Sequence, residues 1–271
     1  MSTSWLKLED KVCVVTGGAG GIGRAIVSAF AQAGAKVAIL DRDSTVVEQF
    51  AKEVGHGAIG VACDVASEGS VNDARQAVIK AFGRCDVLVN NAAIIKPQPL
   101  LDSTQADWER NLAINLTGYY LCARIFGKEM IAAGGGAIVH VGSIAAELPQ
   151  PNGLDYTACK GAIVALSRQI AVEWGAKGIR SNVVNPGMIR TPMTTKLNAD
   201  PEVVAKREAL TAIKRLGTPD DIANVVAFLA SERSGYVTGA DLMATGGLHV
   251  MMMNMIPQPG LKPAQGTGDT K

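Results

Sequence analysis

The stretch that most restricts what this chain can become lies near its start. It reads Val12-Cys13-Val14-Val15-Thr16-Gly17-Gly18-Ala19-Gly20-Gly21-Ile22-Gly23-Arg24-Ala25. The short apolar run has the pattern of a buried parallel strand. After the glycines, Ile22, Ala25, Ile26, Ala29 and Phe30 recur at helical spacing. A strand that turns through glycines into a helix is the context of a dinucleotide-binding fingerprint. Two registers fit: Gly18, Gly20 and Gly23 spell G-x-G-x-x-G, and Gly17, Gly21 and Gly23 spell G-x-x-x-G-x-G. In both, missing side chains let the backbone approach a pyrophosphate, and the helix N-terminus points at that anion.

A second apolar run, Lys36 to Leu40, ends at Asp41. An acid about 20 residues past the glycines can bind the adenosine ribose hydroxyls and repel a 2′-phosphate. This favours NAD over NADP. Arg42 comes next and could greet such a phosphate, and Asp41 could also serve the turn before a helix at Ser44.

Strand-like segments at 11–16, 36–40, 58–63, 86–90, 136–142, 179–184 and 240–244 alternate with helix-like segments near 21–33, 44–54, 67–82, 106–133, 154–176 and 219–231. Such alternation predicts an α/β fold, a Rossmann-like doubly wound parallel sheet of about seven strands with helices on both faces. With 271 residues and no dividing linker, one domain over 1–247 is expected, followed by a C-terminal extension over 248–271. Polar or glycine-rich stations follow six strands: Thr16–Gly23, Asp41, Asp64, Asn90–Ala93, Ser143 and Pro186–Thr191. The carboxyl ends of the strands are where such sheets bind ligands. The extension opens with an apolar run holding Met251, Met252, Met253 and Met255, suited to packing in a groove or to a substrate lid. Its remainder, rich in Pro, Gly and Lys, reads as a mobile tail.

Composition removes several function classes. The formal net charge is +1, so nothing points to nucleic acid or an anionic membrane. The five cysteines are scattered without any C-x-x-C, which argues for reduced thiols in the cytoplasm and against zinc. His56, His140 and His249 form no ligand motif, and no metal is expected; His140, inside an apolar strand, reads as a satisfied core residue. There is no signal-peptide pattern and no apolar run of membrane-spanning length.

Tyr156 is followed four residues later by Lys160, with Ser143 thirteen residues upstream. At i and i+4 the first two share a helix face. An ammonium beside a phenol favours the phenolate and lowers its pKa from about 10, fitting Tyr156 to exchange protons with an alcohol or carbonyl.

With these residues placed, the chain from about Leu8 to Gly247 resembles the short-chain dehydrogenase/reductase family in its compact type. The motifs that carry the resemblance are Thr16–Gly23, Asp64-Val65, Asn90-Asn91-Ala92-Ala93, Asn115, Ser143, Tyr156-Thr157-Ala158-Cys159-Lys160 and Pro186-Gly187. It implies that Tyr156 is the general acid/base and that Ser143 polarises the substrate oxygen. Lys160 would bind the nicotinamide ribose, and Asn115, mid-helix, would hold a water in a proton relay. The implied cofactor contacts are Gly17, Gly20, Gly21, Ile22, Gly23, Asp41, Asp64, Val65, Asn91, Ala92, Tyr156, Lys160, Pro186, Gly187, Ile189 and Thr191. Ala145, Glu147, Leu148, Asn152 and Met188 would line the substrate pocket, with Ile94, Lys96 and a poorly capped lid over 192–210 above. Glu147, Lys96 and Arg190 could meet a polar or anionic substrate. Ala93 and Thr245 depart from the family pattern, where Gly and Asp are usual.

The expected activity is reversible hydride transfer between NAD(H) and a secondary alcohol or ketone, such as a polyol, sugar, hydroxy acid or cyclic alcohol. The resemblance also implies a homotetramer built on the long helices near 106–133 and 154–176. Rival readings are an NADPH-dependent carbonyl or 3-oxoacyl reductase and a non-catalytic NAD-sensing protein. The chain is short for the added substrate region of an epimerase or dehydratase.

Overall fold

The computed structural model describes residues 3–195 and 198–251. The readings that fall on Lys196, Leu197, Met252, Met253, Met255 and the rest of the tail lie outside the described residues. Strands β1 (Val12–Thr16), β2 (Lys36–Asp41), β3 (Ile59–Ala62), β4 (Val87–Asn90), β5 (Gly136–Val141), β6 (Ile179–Pro186) and β7 (Asp241–Ala244) form one sheet in the order 3-2-1-4-5-6-7. All its pairings are parallel. Between the strands lie α1 (Gly21–Gln32), α2 (Ser44–Val54), α3 (Glu68–Phe82), α4 (Gln105–Leu112), α5 (Gly118–Ala132), α6 (Leu154–Trp174), α7 (Pro201–Ala209) and α8 (Pro219–Ala230).

Successive side chains of a strand point to opposite faces, and here both faces are dry. Cys13 and Val15 of β1 join Ile26, Val27 and Phe30 of α1, Val47 and Phe50 of α2, and Ile222 and Val226 of α8. Val12 and Val14 join Val71, Ala74 and Val78 of α3, Cys122 and Phe126 of α5, and Ile170 of α6. Two-sided burial explains why the strands read as unbroken apolar runs. Each large buried side chain contributes about 1.5–3 kcal/mol, against about 1 kcal/mol for the backbone entropy of each glycine in the turn. The core can therefore hold the glycine turn in place.

The chain winds outward through β2 and β3, then returns by α3 to β4 on the other side of β1. The crevice between the ends of β1 and β4 is the switch point, where ligands of such sheets bind.

Two segments differ from expectation. The expected helix over 106–133 is continuous but irregular: a π-helical turn over Ala113–Thr117 lies between α4 and α5. The lid segment holds a well-capped helix. Asp200 accepts from the Glu202 amide at 2.8 Å and Pro201 opens α7, both strong start signals. None of its residues is buried, so it has no apolar period to betray it. Among the described residues no helix is long and apolar enough to cross a membrane.

Candidate active site

The glycine turn resolves the two sequence registers. Gly17 and Gly21 have φ of +60° and +47°, a region that L side chains avoid. A Cβ on Gly17 would lie 2.7 Å from Ala92 Cα, and one on Gly23 would lie 2.1 Å from the Gly17 carbonyl oxygen. Backbone geometry thus demands glycine at 17, 21 and 23. Gly18 is needed for packing, because its Cβ would meet Ile39 at 2.8 Å. Around Gly20 nothing lies within 4 Å of a Cβ, and that space opens on the cleft. Gly20 provides no side-chain cap to α1, so the first amides of this helix are left for a ligand. A bare helix start behind an open glycine fits a dinucleotide pyrophosphate.

Asp41 ends β2 at the same rim. Its Oδ2 accepts from the Ala19 amide at 3.2 Å and its Oδ1 from the Arg42 amide at 2.8 Å. Asp43, not Asp41, caps α2 by accepting from Val46 at 3.1 Å. Thr16 ties β1 to β4: its Oγ1 accepts from the amides of Asn91 and Ala92 at 3.0 and 3.2 Å. Asn91 returns the tie by donating to the carbonyls of Thr16 and Gly17, both at 3.0 Å.

Along these strand ends runs a cleft of about 510 Å³. Gly17, Gly20, Gly21, Ile22, Asp41, Asp64, Val65, Asn91, Ala92, Pro186, Gly187, Ile189 and Thr191 all line it, as do Ser143, Tyr156 and Lys160. Gly23 is beneath the surface, against Gly17. Gly118 packs behind Val65, where a Cβ would meet Val65 Cγ2 at 2.9 Å. Ala93 lines the cleft without closing it. Thr245 packs behind, where a Cβ on Gly187 would meet its Cα at 2.8 Å.

Ser143 follows β5 and caps a short 3-10 turn over Ile144–Ala146, its Oγ accepting from the Ala145 amide at 3.1 Å. Its own amide donates to Asn185 Oδ1 at 2.8 Å, and Asn185 in turn donates to Asp241. Asn185 is a supporting residue that the sequence reading missed. It sits inside an apolar strand, and only the β5–β6 register reveals its partner.

Tyr156 and Lys160 lie in the first turns of α6. The Lys160 side chain is 1% exposed. Its Nζ donates to the Val141 carbonyl at 2.8 Å and to the Tyr119 hydroxyl at 3.2 Å, and stands 5.4 Å from the Tyr156 ring centre. Burial lowers its pKa to about 7. The sequence reading had Lys160 holding the Tyr156 phenol acidic. In the structure burial raises the Tyr156 pKa, and hydrogen bonding with Ser143 pulls the other way. The ammonium spends its bonds on Val141 and Tyr119 instead.

Asn115 is wholly buried and does not line the cleft. It sits in the π-helical turn rather than in a regular helix. Its Oδ1 accepts from the Ile94 amide at 2.9 Å, and its Nδ2 donates to the Ile94 carbonyl at 2.8 Å and to Asn111. The side chain is thereby committed to the loop after β4.

Of the residues expected to meet substrate, Ala145, Glu147, Leu148, Asn152 and Met188 lie outside the lining of this cleft. Ala145 is buried in the turn behind Ser143. Glu147 is exposed and Leu148 half-buried. The Asn152 carbonyl accepts from the Gln98 amide at 3.1 Å. Met188 lines a separate cavity with Ile189, Ile213 and Met243, and its sulfur accepts from Arg207 Nε at 3.3 Å. Ile94, Arg110, Ile114, Met193 and Thr194 line the main cleft. Arg110 and Ile114 lie one turn apart on the α4 side, a spacing visible in sequence but not singled out. Lys96 pairs with Asp107 and Arg190 with Glu208, at 2.7 and 2.8 Å. Among the described residues no cluster could hold a metal ion.

Comparison with known proteins decides the family. The profile described as Enoyl-(Acyl carrier protein) reductase matches residues 17–249. D-threitol dehydrogenase of Mycolicibacterium smegmatis is 41% identical over 244 residues, covering 89% of this chain and 94% of the relative. The chain belongs to the short-chain dehydrogenase/reductase family. Cis-4-hydroxycyclohexanecarboxylate dehydrogenase of Sinomonas cyclohexanicum is 41% identical over 241 residues, covering 88% and 96%. The crystal structure of gox2181 superposes with a TM-score of 0.87 at 35% identity, over 92% of this chain and all of that one. This short-chain dehydrogenase/reductase is therefore an oxidoreductase, and its family implies an NAD(P) cofactor.

Proposed function

We propose that the protein is an NAD-dependent dehydrogenase that interconverts a secondary alcohol and its ketone. The observation that carries this reading is one continuous cleft. It joins the open start of α1 and Asp41 to Ser143, Tyr156 and Lys160. Asp41, fixed by two amides, directs a carboxylate where ribose hydroxyls would lie and opposes a 2′-phosphate.

In the oxidation direction, the Tyr156 phenolate takes the proton of the substrate hydroxyl at Oη. Ser143 Oγ hydrogen-bonds the same oxygen while its charge changes. A charged Lys160 amine, 5.4 Å from the ring centre, would favour the phenolate. When bound, the nicotinamide supplies the chemistry of accepting hydride from the carbinol carbon. The relatives named D-threitol dehydrogenase and cis-4-hydroxycyclohexanecarboxylate dehydrogenase support a polyol or cyclic alcohol as substrate, with sugars and hydroxy acids next.

The test follows NADH absorbance across a panel of polyols, sugars, hydroxy acids and cyclic alcohols. Wild type should turn over at least one class. Tyr156→Phe should lose at least a hundredfold in kcat, the low end of what general acid–base groups contribute, and still bind NADH. Near-normal turnover by Tyr156→Phe defeats the assignment. Tight NAD binding with no turnover across the panel points to a sensor instead.

One observation favours a second reading. Arg42 also lines the cleft, beside Asp41, where a guanidinium suits a 2′-phosphate. The rival is an NADPH-dependent carbonyl or 3-oxoacyl reductase. Titrating NADH and NADPH by nicotinamide fluorescence separates the two, and we expect NADH to bind at least tenfold tighter. A preference for NADPH overturns the cofactor assignment.

All five cysteines are free and buried, which supports a reducing compartment such as the cytoplasm. We also infer association into a tetramer through α4, α5 and α6, whose outer faces carry apolar side chains.

A further inference from the structure

Lys160 is a cation buried without a carboxylate, an arrangement that costs several kcal/mol unless its donors are met. An ammonium has three donors. Val141 accepts one at 2.8 Å, and the Tyr119 hydroxyl accepts another at 3.2 Å. That hydroxyl gives its own proton to the same Val141 carbonyl at 2.9 Å, so its lone pairs are turned toward Lys160. The three groups close a triangle on the last residue of β5, two residues before Ser143. The ammonium sits between two phenol rings, 5.0 Å from the centre of Tyr119 and 5.4 Å from that of Tyr156.

We propose that Tyr119 is a positioning residue: its hydroxyl, fixed on Val141, holds the Lys160 ammonium charged and beside Tyr156. This rests on the reading of Lys160 as part of the active site.

The surroundings of Tyr119 are built to keep it still. It is 1% exposed, and the His140 ring stacks on it with centroids 5.9 Å apart. Asn90 Nδ2 donates to the Tyr119 carbonyl at 3.1 Å and reaches His140 Nδ1 at 3.2 Å. The Tyr119 carbonyl can only accept, which sets the Asn90 amide and makes Nδ1 an acceptor. The His140 proton is then on Nε2, directed at Ser181 Oγ 3.3 Å away, which meets Ser167 Oγ at 2.9 Å.

The titratable groups around Lys160 are Tyr119 on α5, His140 on β5, and Tyr156 and Cys159 on α6. None opposes the ammonium near neutral pH. Burial lowers the His140 pKa to about 3, so no second cation forms behind it. Burial raises both phenols, and it raises the Cys159 thiol to about 11.

The test is read on the free protein, so it answers for Tyr119 whichever alcohol or cofactor the enzyme uses. Lysines are labelled with 13C at Cε, and the Lys160 signal is assigned by its loss in Lys160→Met. Its titration is then followed from pH 5 to 11, a range chosen to span roughly the lowered and free lysine values. Tyr119→Phe removes only the hydroxyl, and the Lys160 midpoint should fall by about one pH unit, the scale of one hydrogen bond to a charged group. In the enzyme assay, the alkaline limb of kcat/KM should move down with it. An unchanged or raised midpoint overturns the proposal, even if Tyr119→Phe slows turnover. Should Tyr119→Phe not unfold cooperatively, Tyr119→Met fills similar space without a hydroxyl and is read the same way.

Discussion

At the scale of single residues, the buried polar groups define this protein more sharply than its apolar ones. His140 shows why. It was legible as a core residue because the strand around it is apolar, but its partners were not, since Asn90 and Ser181 come from other strands. Its lowered pKa has a stability consequence. Between about pH 6.5 and 3 the unfolded chain holds a proton on this imidazole that the folded chain does not. The stabilisation is complete above the unfolded value and is lost as pH falls toward the folded one, by up to about 1.4 kcal/mol per pH unit. Urea unfolding at pH 7, 5.5 and 4.5 should therefore show wild type losing more stability than His140→Asn. Equal losses would mean that the ring is not held neutral.

At the scale of elements, the sequence placed all seven strands within two residues of their ends. Two-sided burial makes a parallel strand a run of apolar residues, and that signal is local. The glycine turn was legible for the same reason, although choosing between its registers took the close approach of Gly17 to Ala92. What failed was non-local or carried no period. The π-turn between α4 and α5 comes with the grip of Asn115 on Ile94, a residue 21 positions away, and such π-turns often mark functional sites. Helix α7 buries none of its residues and rests on its caps, Asp200 and Pro201, both present in the sequence but unweighted. The substrate end is harder to read for a third reason. Of two adjacent residues, Ile189 lines both the main cleft and the smaller cavity, whereas Met188 lines only the latter. The cofactor end is set by backbone, which glycine spacing announces, whereas the substrate end is set by loop side chains, which carry no local pattern.

At the scale of the whole molecule, α4, α5 and α6 leave apolar groups outward. Trp108 and Tyr120 are 36% and 46% exposed, and Val172 is 80% exposed. Helices packed on a sheet by one face and apolar on another suit a symmetric partner. Sedimentation of the wild type should give a tetramer, and Tyr120→Glu combined with Val172→Glu should shift it to smaller species. A wild type that sediments as a monomer ends this expectation. The order of the strands also governs how such a molecule comes into being. β1 pairs with β2 early in the chain, but its other neighbour, β4, is joined through Asp86, whose carboxylate receives the Val12 amide 74 positions away. Closing so wide a loop is entropically dear and slows folding. A chain emerging from the ribosome can thus assemble its nucleotide-facing half first, and the central seam must wait for the later strands to arrive.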